Sequence, residues 1–187
     1  MSEISIILIR HGEASAAWGD DSDPGLSERG ISQASKLTTI KDLDQLDGYD
    51  FISSPKSRAV MTATPLIKKY NKNLKIDNAF TEIPSTNVEP KDKKEWLSNI
   101  VNMKLCSLPE EVNSWRLKLI RKIMEREKNT IIFSHFMVIN ALIAEFTNND
   151  KLLCFYPDYT SLTKILVKNN EVTELYFGDE RKTLINL

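Results

Sequence analysis

The sequence is poor in the residues that announce a metal centre or a disulfide scaffold. Its 187 residues include two cysteines and two histidines. Cys106 and Cys154 fit no metal-ligand spacing, and a single pair makes no disulfide framework. They are expected as small core residues in a reducing compartment. Charge of one sign is lacking too: the net charge of −1 gives no reason to expect nucleic acid or a membrane as partner. No apolar run approaches a bilayer span. The N-terminus enters a strand directly, without a basic segment, an apolar stretch and a cleavage site in succession. A cytoplasmic location follows as an expectation. Neither a repeat nor a low-complexity tract divides the chain, so one domain, 1–187, is expected, long enough for a sizeable core.

What is there alternates between strand and helix. Ile4–Ile9 is a short apolar run suited to a strand buried on both faces. A polar, acidic loop, Ala14 to Gly25, holds Trp18 and the cluster Asp20-Asp21-Ser22-Asp23-Pro24-Gly25. Gly, Pro and Asp without a positioned His suit a turn better than a metal cage. Ser27 is a plausible N-cap for a helix with Ile31, Ala34 and Leu37 on its buried stripe, but Gly30 stands where a capping box needs Glu or Gln. A second strand is expected over Tyr49–Ser53, then a helix with Pro55 in its first turn and a kink near Thr62–Thr64 ahead of Pro65. A short strand over Leu74–Ile76 and an irregular stretch, Phe80 to Ser85, precede helices over Lys91–Ser107 and about Pro109–Lys128. The strand Thr130–Ser134 and a helix carrying Phe136, Ile139, Leu142, Ile143 and Phe146 come next. Leu162–Val167 and Val172–Phe177 flank Lys168-Asn169-Asn170-Glu171, a hairpin pattern in which Asn tolerates positive φ. The order gives a mostly parallel sheet with an antiparallel edge, covered on both faces as a three-layer α/β/α sandwich.

Chemistry gathers at three strand ends. The first strand stops at Arg10-His11-Gly12-Glu13, the second at Ser53-Ser54-Pro55 with Arg58 beyond it, and the third at Ser134-His135. Ligands of open α/β sheets bind just beyond the carboxyl ends of strands. Arginine forks match phosphate oxygens, and an unprotonated imidazole is a nucleophile or base. Two histidines and two arginines on one sheet edge make an anion site.

These residues, in order, with Ala59, Thr62-Ala63 and Glu82, resemble the histidine phosphatase superfamily, the phosphoglycerate mutase-like proteins. Leu26-Ser27-Glu28-Arg29-Gly30 with Gln33-Ala34 is similar to that family's first helix. The resemblance implies His11 as nucleophile, forming a phosphohistidine that water hydrolyses, with its other ring nitrogen held by a backbone carbonyl. It implies Arg10, Arg58 and His135 as the grip on the phosphate oxygens, and Glu82 as the proton donor to the leaving alcohol. His135 must then be protonated or at least a donor, and Glu13 is a weaker candidate acid. The expected partner is a small phosphorylated substrate, with no cofactor and no metal.

Departures from the family pattern bear on substrate. Phe136 fills a place often held by glycine, making that wall bulkier and more apolar. Ala14-Ser15-Ala16-Ala17 follows Glu13 and Ile83-Pro84-Ser85 follows Glu82, where the mutases carry extra polar residues. These favour hydrolysis of a phosphate monoester. A phosphohistidine protein phosphatase, a phosphoglycerate mutase and a non-catalytic phosphate-binding module are the alternatives, and the oligomeric state is not legible.

Overall fold

A computed structural model describes residues 3–16 and 21–181; Ala17, Trp18 and Asp20 of the acidic loop lie outside them. The six-stranded sheet runs in the order β3-β2-β4-β1-β5-β6. Its strands are β1 (Ile4–Arg10), β2 (Asp50–Ser53), β3 (Leu74–Ile76), β4 (Thr130–Ser134), β5 (Leu162–Lys168) and β6 (Glu171–Tyr176). β1, β2, β3 and β4 are mutually parallel, while β5 pairs antiparallel with β1 and β6 antiparallel with β5. The hairpin closing the chain turns on Asn169 and Asn170, both at positive φ, as a two-residue loop matching the strand twist requires.

The alternation along β1 divides the interior into two cores. Ile4, Ile6 and Leu8 face one side with Ile52 and Ile132, beneath α3 (Lys93–Asn102), α4 (Glu110–Met124) and α5 (Phe136–Phe146). Ile7 and Ile9 face the other with Phe51, Ile131 and Phe133, beneath Leu37 and the Ala59, Ala63 and Leu66 face of α2 (Ser57–Tyr70). Leu37 directly follows α1 (Glu28–Lys36). A one-residue slip of β1 would exchange the two sets, so its register is strongly fixed. The architecture is α/β/α, and it also sets the site. β1 and β4 are neighbours, yet the chain leaves β1 for α1 on one face and leaves β4 for α5 on the other. That divergence opens a crevice at the carboxyl ends of the strands.

Several local expectations are corrected. α2 begins at Ser57, so Pro55 lies before the helix rather than in its first turn. The helix also passes through Pro65 unbroken. The bond Pro65 cannot make is to the carbonyl of Met61, on the helix's exposed side, where water can serve it, and the Thr62 and Thr64 hydroxyls add bonds to the carbonyls of Arg58 and Val60. The expected helix over Lys91–Ser107 is a short 3-10 turn, α3, an extended Met103 and a second 3-10 turn. α4 ends at Met124, with Pro109 as its N-cap. Ile31 is half exposed, at 50%, because α1 turns Gly30 and Ala34 inward instead. Cys106 is exposed and Cys154 only partly buried, so neither is a core residue.

Ser27 caps α1 as its sequence suggests, accepting from Gly30 N. Gly30 cannot be the Glu of a capping box, since a Cβ there would lie 2.1 Å from the carbonyl oxygen of Glu13. Gly12 is needed for the same approach: a Cβ on it would meet the carbonyl oxygen of Gly30 at 2.8 Å. The two glycines let α1 press against the turn that carries His11.

Candidate active site

The parallel ladder extends past β1 and carries His11 into the crevice, since His11 N donates to Ser134 O at 2.9 Å. Ser54 N donates to Phe133 O at 3.0 Å, so all three strand ends stay in register. The His11 and His135 rings come to 5.2 Å between centroids, edge to face. Of the residues expected at the site, Arg10, His11, Arg58 and Glu82 line one cleft. His135 stands behind it, with no solvent exposure.

His11 is 8% exposed, and its Nδ1 lies 2.7 Å from the Gly12 carbonyl oxygen. A carbonyl only accepts, so Nδ1 carries the hydrogen and the Nε2 lone pair faces the cleft. Arg58 Nε donates to that lone pair at 3.2 Å. Burial, reinforced by Arg58 and Arg10, holds His11 well below the ordinary imidazole pKa, against the pull of the Gly12 carbonyl. The ring is neutral and basic at one known atom.

Arg58 occupies the first turn of α2, which the acidic loop secures. Asp23 accepts from Ser57 N at 3.0 Å and from Ser57 Oγ at 2.8 Å, doing for this helix what its own N-cap, Lys56, does not. Thr62 then bonds both ways, donating to Arg58 O at 2.6 Å and accepting from Gly12 N at 3.0 Å. That locks the His11 turn to the helix bearing Arg58.

Arg10 packs against two aromatic rings, Tyr159 at 4.2 Å and Phe136 at 5.0 Å from the guanidinium carbon. Its Nη1 donates to Pro157 O at 2.7 Å. Tyr159 is not among the residues expected from the sequence. It sits in a turn closed by Ser161 N to Asp158 O, and the turn is fastened to Arg10 twice: Thr160 N donates to Arg10 O, and Arg10 N donates to Ser161 O. Thr160 takes φ 59°, a conformation β-branched residues avoid and surrounding structure must impose. An aromatic residue beside a Pro-Asp turn that leads into a strand was the available signal.

Glu82 follows a 3-10 turn whose neighbouring carbonyls are both held. Ser134 Oγ donates to Phe80 O and Trp115 Nε1 to Thr81 O, each at 3.0 Å. The carboxylate accepts from Ile83 N at 3.0 Å and from Met137 N, in the first turn of α5, at 3.1 Å. Burial raises its pKa, while those amides, Arg58 and Arg10 oppose the rise. Glu13 is structural: it accepts from Ser27 Oγ and pairs with Arg29.

His135 is the N-cap residue of α5. Its Nε2 lies 2.7 Å from Ser54 Oγ, and its buried Nδ1 has no hydrogen-bond partner among the described residues. Burial first, then Arg58, His11, Lys56 and Arg10, holds the ring well below the ordinary imidazole pKa. Of the two expected states, imidazolium and neutral donor, the surroundings favour the neutral one. The remaining cleft wall is largely apolar, formed by Ala14, Ala16, Pro24, Ile83, Leu97, Phe136, Met137 and Tyr159.

Among the described residues no three His, Cys, Asp or Glu side chains group as a metal site. No helix among them is long and apolar enough to cross a membrane.

No curated protein matches the chain at a significant level. Solved structures do. A phosphoserine phosphatase from Entamoeba histolytica, in complex with 3-phosphoglyceric acid, is 22% identical with a TM-score of 0.73, covering 96% of this chain and 98% of that one. The alpha-ribazole phosphatase of Shigella flexneri is 19% identical with a TM-score of 0.73, covering 94% and 96%. A mycobacterial glucosyl-3-phosphoglycerate phosphatase is 16% identical with a TM-score of 0.69, covering 96% and 98%. At these identities they establish the fold. The family model for the histidine phosphatase superfamily, branch 1, matches residues 6–180, and the chain belongs to that family.

Proposed function

We propose that the protein is a metal-independent phosphatase that hydrolyses phosphate monoesters through a phosphohistidine on His11. The observation that carries this reading is the state of the His11 ring. Nδ1 is committed to the Gly12 carbonyl and Nε2 presents its lone pair beside Arg58. Family membership supports phosphoester hydrolysis.

The reaction follows from the groups present. Nε2 of His11 attacks phosphorus as the ester P–O bond breaks. Charge spreads over the non-bridging oxygens in a loose transition state, where Arg10 and Arg58 neutralise it. Protonated Glu82 gives its proton to the leaving oxygen, and the carboxylate left behind takes one from the water that then attacks the phosphohistidine. Phosphate departs and the ring returns to its starting tautomer. Both arginines serve the phosphate in this scheme. The apolar wall of Leu97, Phe136 and Met137 therefore favours an alcohol with an apolar body over a sugar acid.

The test is hydrolysis of phenyl phosphate with a chelator present, for wild type and His11→Ala. Activity should survive chelation and vanish in the variant, and acid-labile phosphate should be trapped on wild type alone. Equal activity in both proteins would remove the nucleophile from the scheme. In the same assay phenyl phosphate should exceed phosphoserine in kcat/KM, and the reverse order would overturn the substrate preference.

A further inference from the structure

We propose that Ser54 is a positioning residue that fixes His135, the buried ring against His11, as the Nδ1–H tautomer, the neutral donor that the phosphatase reading needs of this residue. The phosphate role rests on the phosphatase reading above; the tautomer does not.

The hydrogen-bond inventory of Ser54 carries the argument. Its Oγ has two partners: Lys56 N, which donates to it at 3.3 Å, and His135 Nε2 at 2.7 Å. An amide can only donate, so it uses a lone pair of Oγ and leaves the hydroxyl hydrogen free. Nε2 of His135 is the acceptor within reach of that hydrogen. If Nε2–H donated instead, the Ser54 hydrogen would have no acceptor among the described residues, and a fully buried hydroxyl would stay half satisfied. Serine thus donates, Nε2 accepts, and the ring's single hydrogen resides on Nδ1.

Nδ1 of His135 is buried with no hydrogen-bond partner among the described residues. A bare lone pair there would repel a phosphate oxygen, whereas an N–H attracts it. The charged and titratable groups around the ring are Arg58 from α2, Lys56 at its N-cap, and His11 and Arg10 from the end of β1. Glu82 binds Met137 N in the same helix turn. Three cations leave little room for a fourth, so the donor has to be neutral and its tautomer has to be set by a neighbour.

The two imidazoles then carry the same tautomer for opposite purposes. At His11 the Gly12 carbonyl takes the Nδ1 hydrogen and leaves Nε2 as nucleophile. At His135 the Ser54 hydroxyl takes the Nε2 lone pair and leaves Nδ1–H as donor. Free histidine gives no such guarantee: either nitrogen of a neutral ring can hold the proton, and the bond made by the other decides.

With two histidines in the chain, ¹⁵N-histidine labelling and long-range ¹H–¹⁵N correlation assign both tautomers by comparison with His11→Ala. Wild-type His135 should be protonated at Nδ1, and added inorganic phosphate should shift that nitrogen. In Ser54→Ala the His135 signals should move toward Nε2–H while those of His11 stay. Phosphate affinity should fall roughly tenfold, and Ser54→Thr should restore part of it. Should Ser54→Ala fail to fold, His135→Asn and His135→Gln decide, since their amides mimic Nδ1 and Nε2 respectively. Asn should retain phosphate binding and Gln should lose it. Wild-type His135 found as Nε2–H or as imidazolium at pH 7, or Gln binding phosphate better than Asn, overturns the proposal. A correct tautomer in a protein that hydrolyses no ester would instead sink the phosphatase reading.

Discussion

Arg58 Nε points at His11 Nε2 from 3.2 Å, so one guanidinium both grips the phosphate in the proposed reaction and guards the lone pair that attacks it. A proton on His11 would face burial and two cations, Arg58 and Arg10. The sign is therefore fixed: the reactive form is the neutral ring, and it persists to pH values below the ordinary imidazole range, about 6.5. After correction for the second ionisation of the substrate, the acidic limb of kcat/KM should lie below that value. Arg58→Met should lower kcat/KM by about 10²–10³ and move the acidic limb to higher pH, because His11 then accepts a proton more readily. A variant with the loss in rate but an unmoved limb would confine Arg58 to phosphate binding.

In the proposed reaction Glu82 exchanges a proton with the leaving oxygen and then with water. Burial raises its pKa while two backbone amides and two arginines oppose the rise; a raised pKa is the direction a general acid requires. The glutamine isostere can still accept from Met137 N, but it cannot give a proton to a leaving alkoxide. Glu82→Gln should cost about 10²–10⁴ in kcat for alkyl phosphates. It should cost far less for nitrophenyl phosphate, whose leaving group departs without protonation. Parallel losses across a series of leaving groups would assign the proton to another residue.

Gly30 reverses an ordinary helix rule. In an exposed helix, alanine is preferred to glycine by about 0.8–1.0 kcal/mol, and Gly30→Ala would stabilise. Here the new Cβ would lie 2.1 Å from Glu13 O and 3.0 Å from Glu13 C, and neither can retreat without moving the His11 turn. Overpacking of this kind costs about 1–3 kcal/mol, which outweighs the gain. Gly30→Ala should lower the melting temperature by several degrees, while Gly48→Ala, with nothing within 4 Å of its Cβ, should leave it within about a degree. Equal melting temperatures for the two variants would show that α1 gives way.

The legible parts were those written in short spans. β1, β4 and the hairpin showed in their apolar periods and Asn pair, and the Arg-His-Gly and Ser-His strand ends located the chemistry. Ser54 was visible as part of a strand end, but its bond to His135 joins residues 81 apart. The same distance problem hid Gly30, which looks like a failed capping box until Glu13 is seen against it. Pro65 misled in the other direction, because breaking a helix requires that the lost bond matter, and beside an exposed residue it matters little. Ile31 fitted the helical period, yet the close approach at Gly30 rotated α1 away from it.

Tyr159 tests whether an unheralded aromatic residue serves the phosphate grip. Its ring lies 4.2 Å and that of Phe136 5.0 Å from the Arg10 guanidinium carbon, while Nη1 donates to Pro157 O. A cation held over an aromatic face is worth about 0.5–2 kcal/mol, a factor of roughly 2 to 30. In the proposed reaction Arg10 holds the phosphate before and during transfer, and Tyr159 steadies it equally in both states, so the loss from removing the Tyr159 ring should fall mainly on KM. Tyr159→Leu should raise KM for phenyl phosphate within that range and change kcat little, while Tyr159→Phe, which keeps the ring and loses only the hydroxyl's hydrogen bond with Arg10, should raise it less. If Phe fell as far as Leu, the hydroxyl rather than the ring would be what holds Arg10. If kcat fell while KM stayed, Tyr159 would be acting on the chemical step, and the strained turn at Thr160 would be serving His11 rather than Arg10.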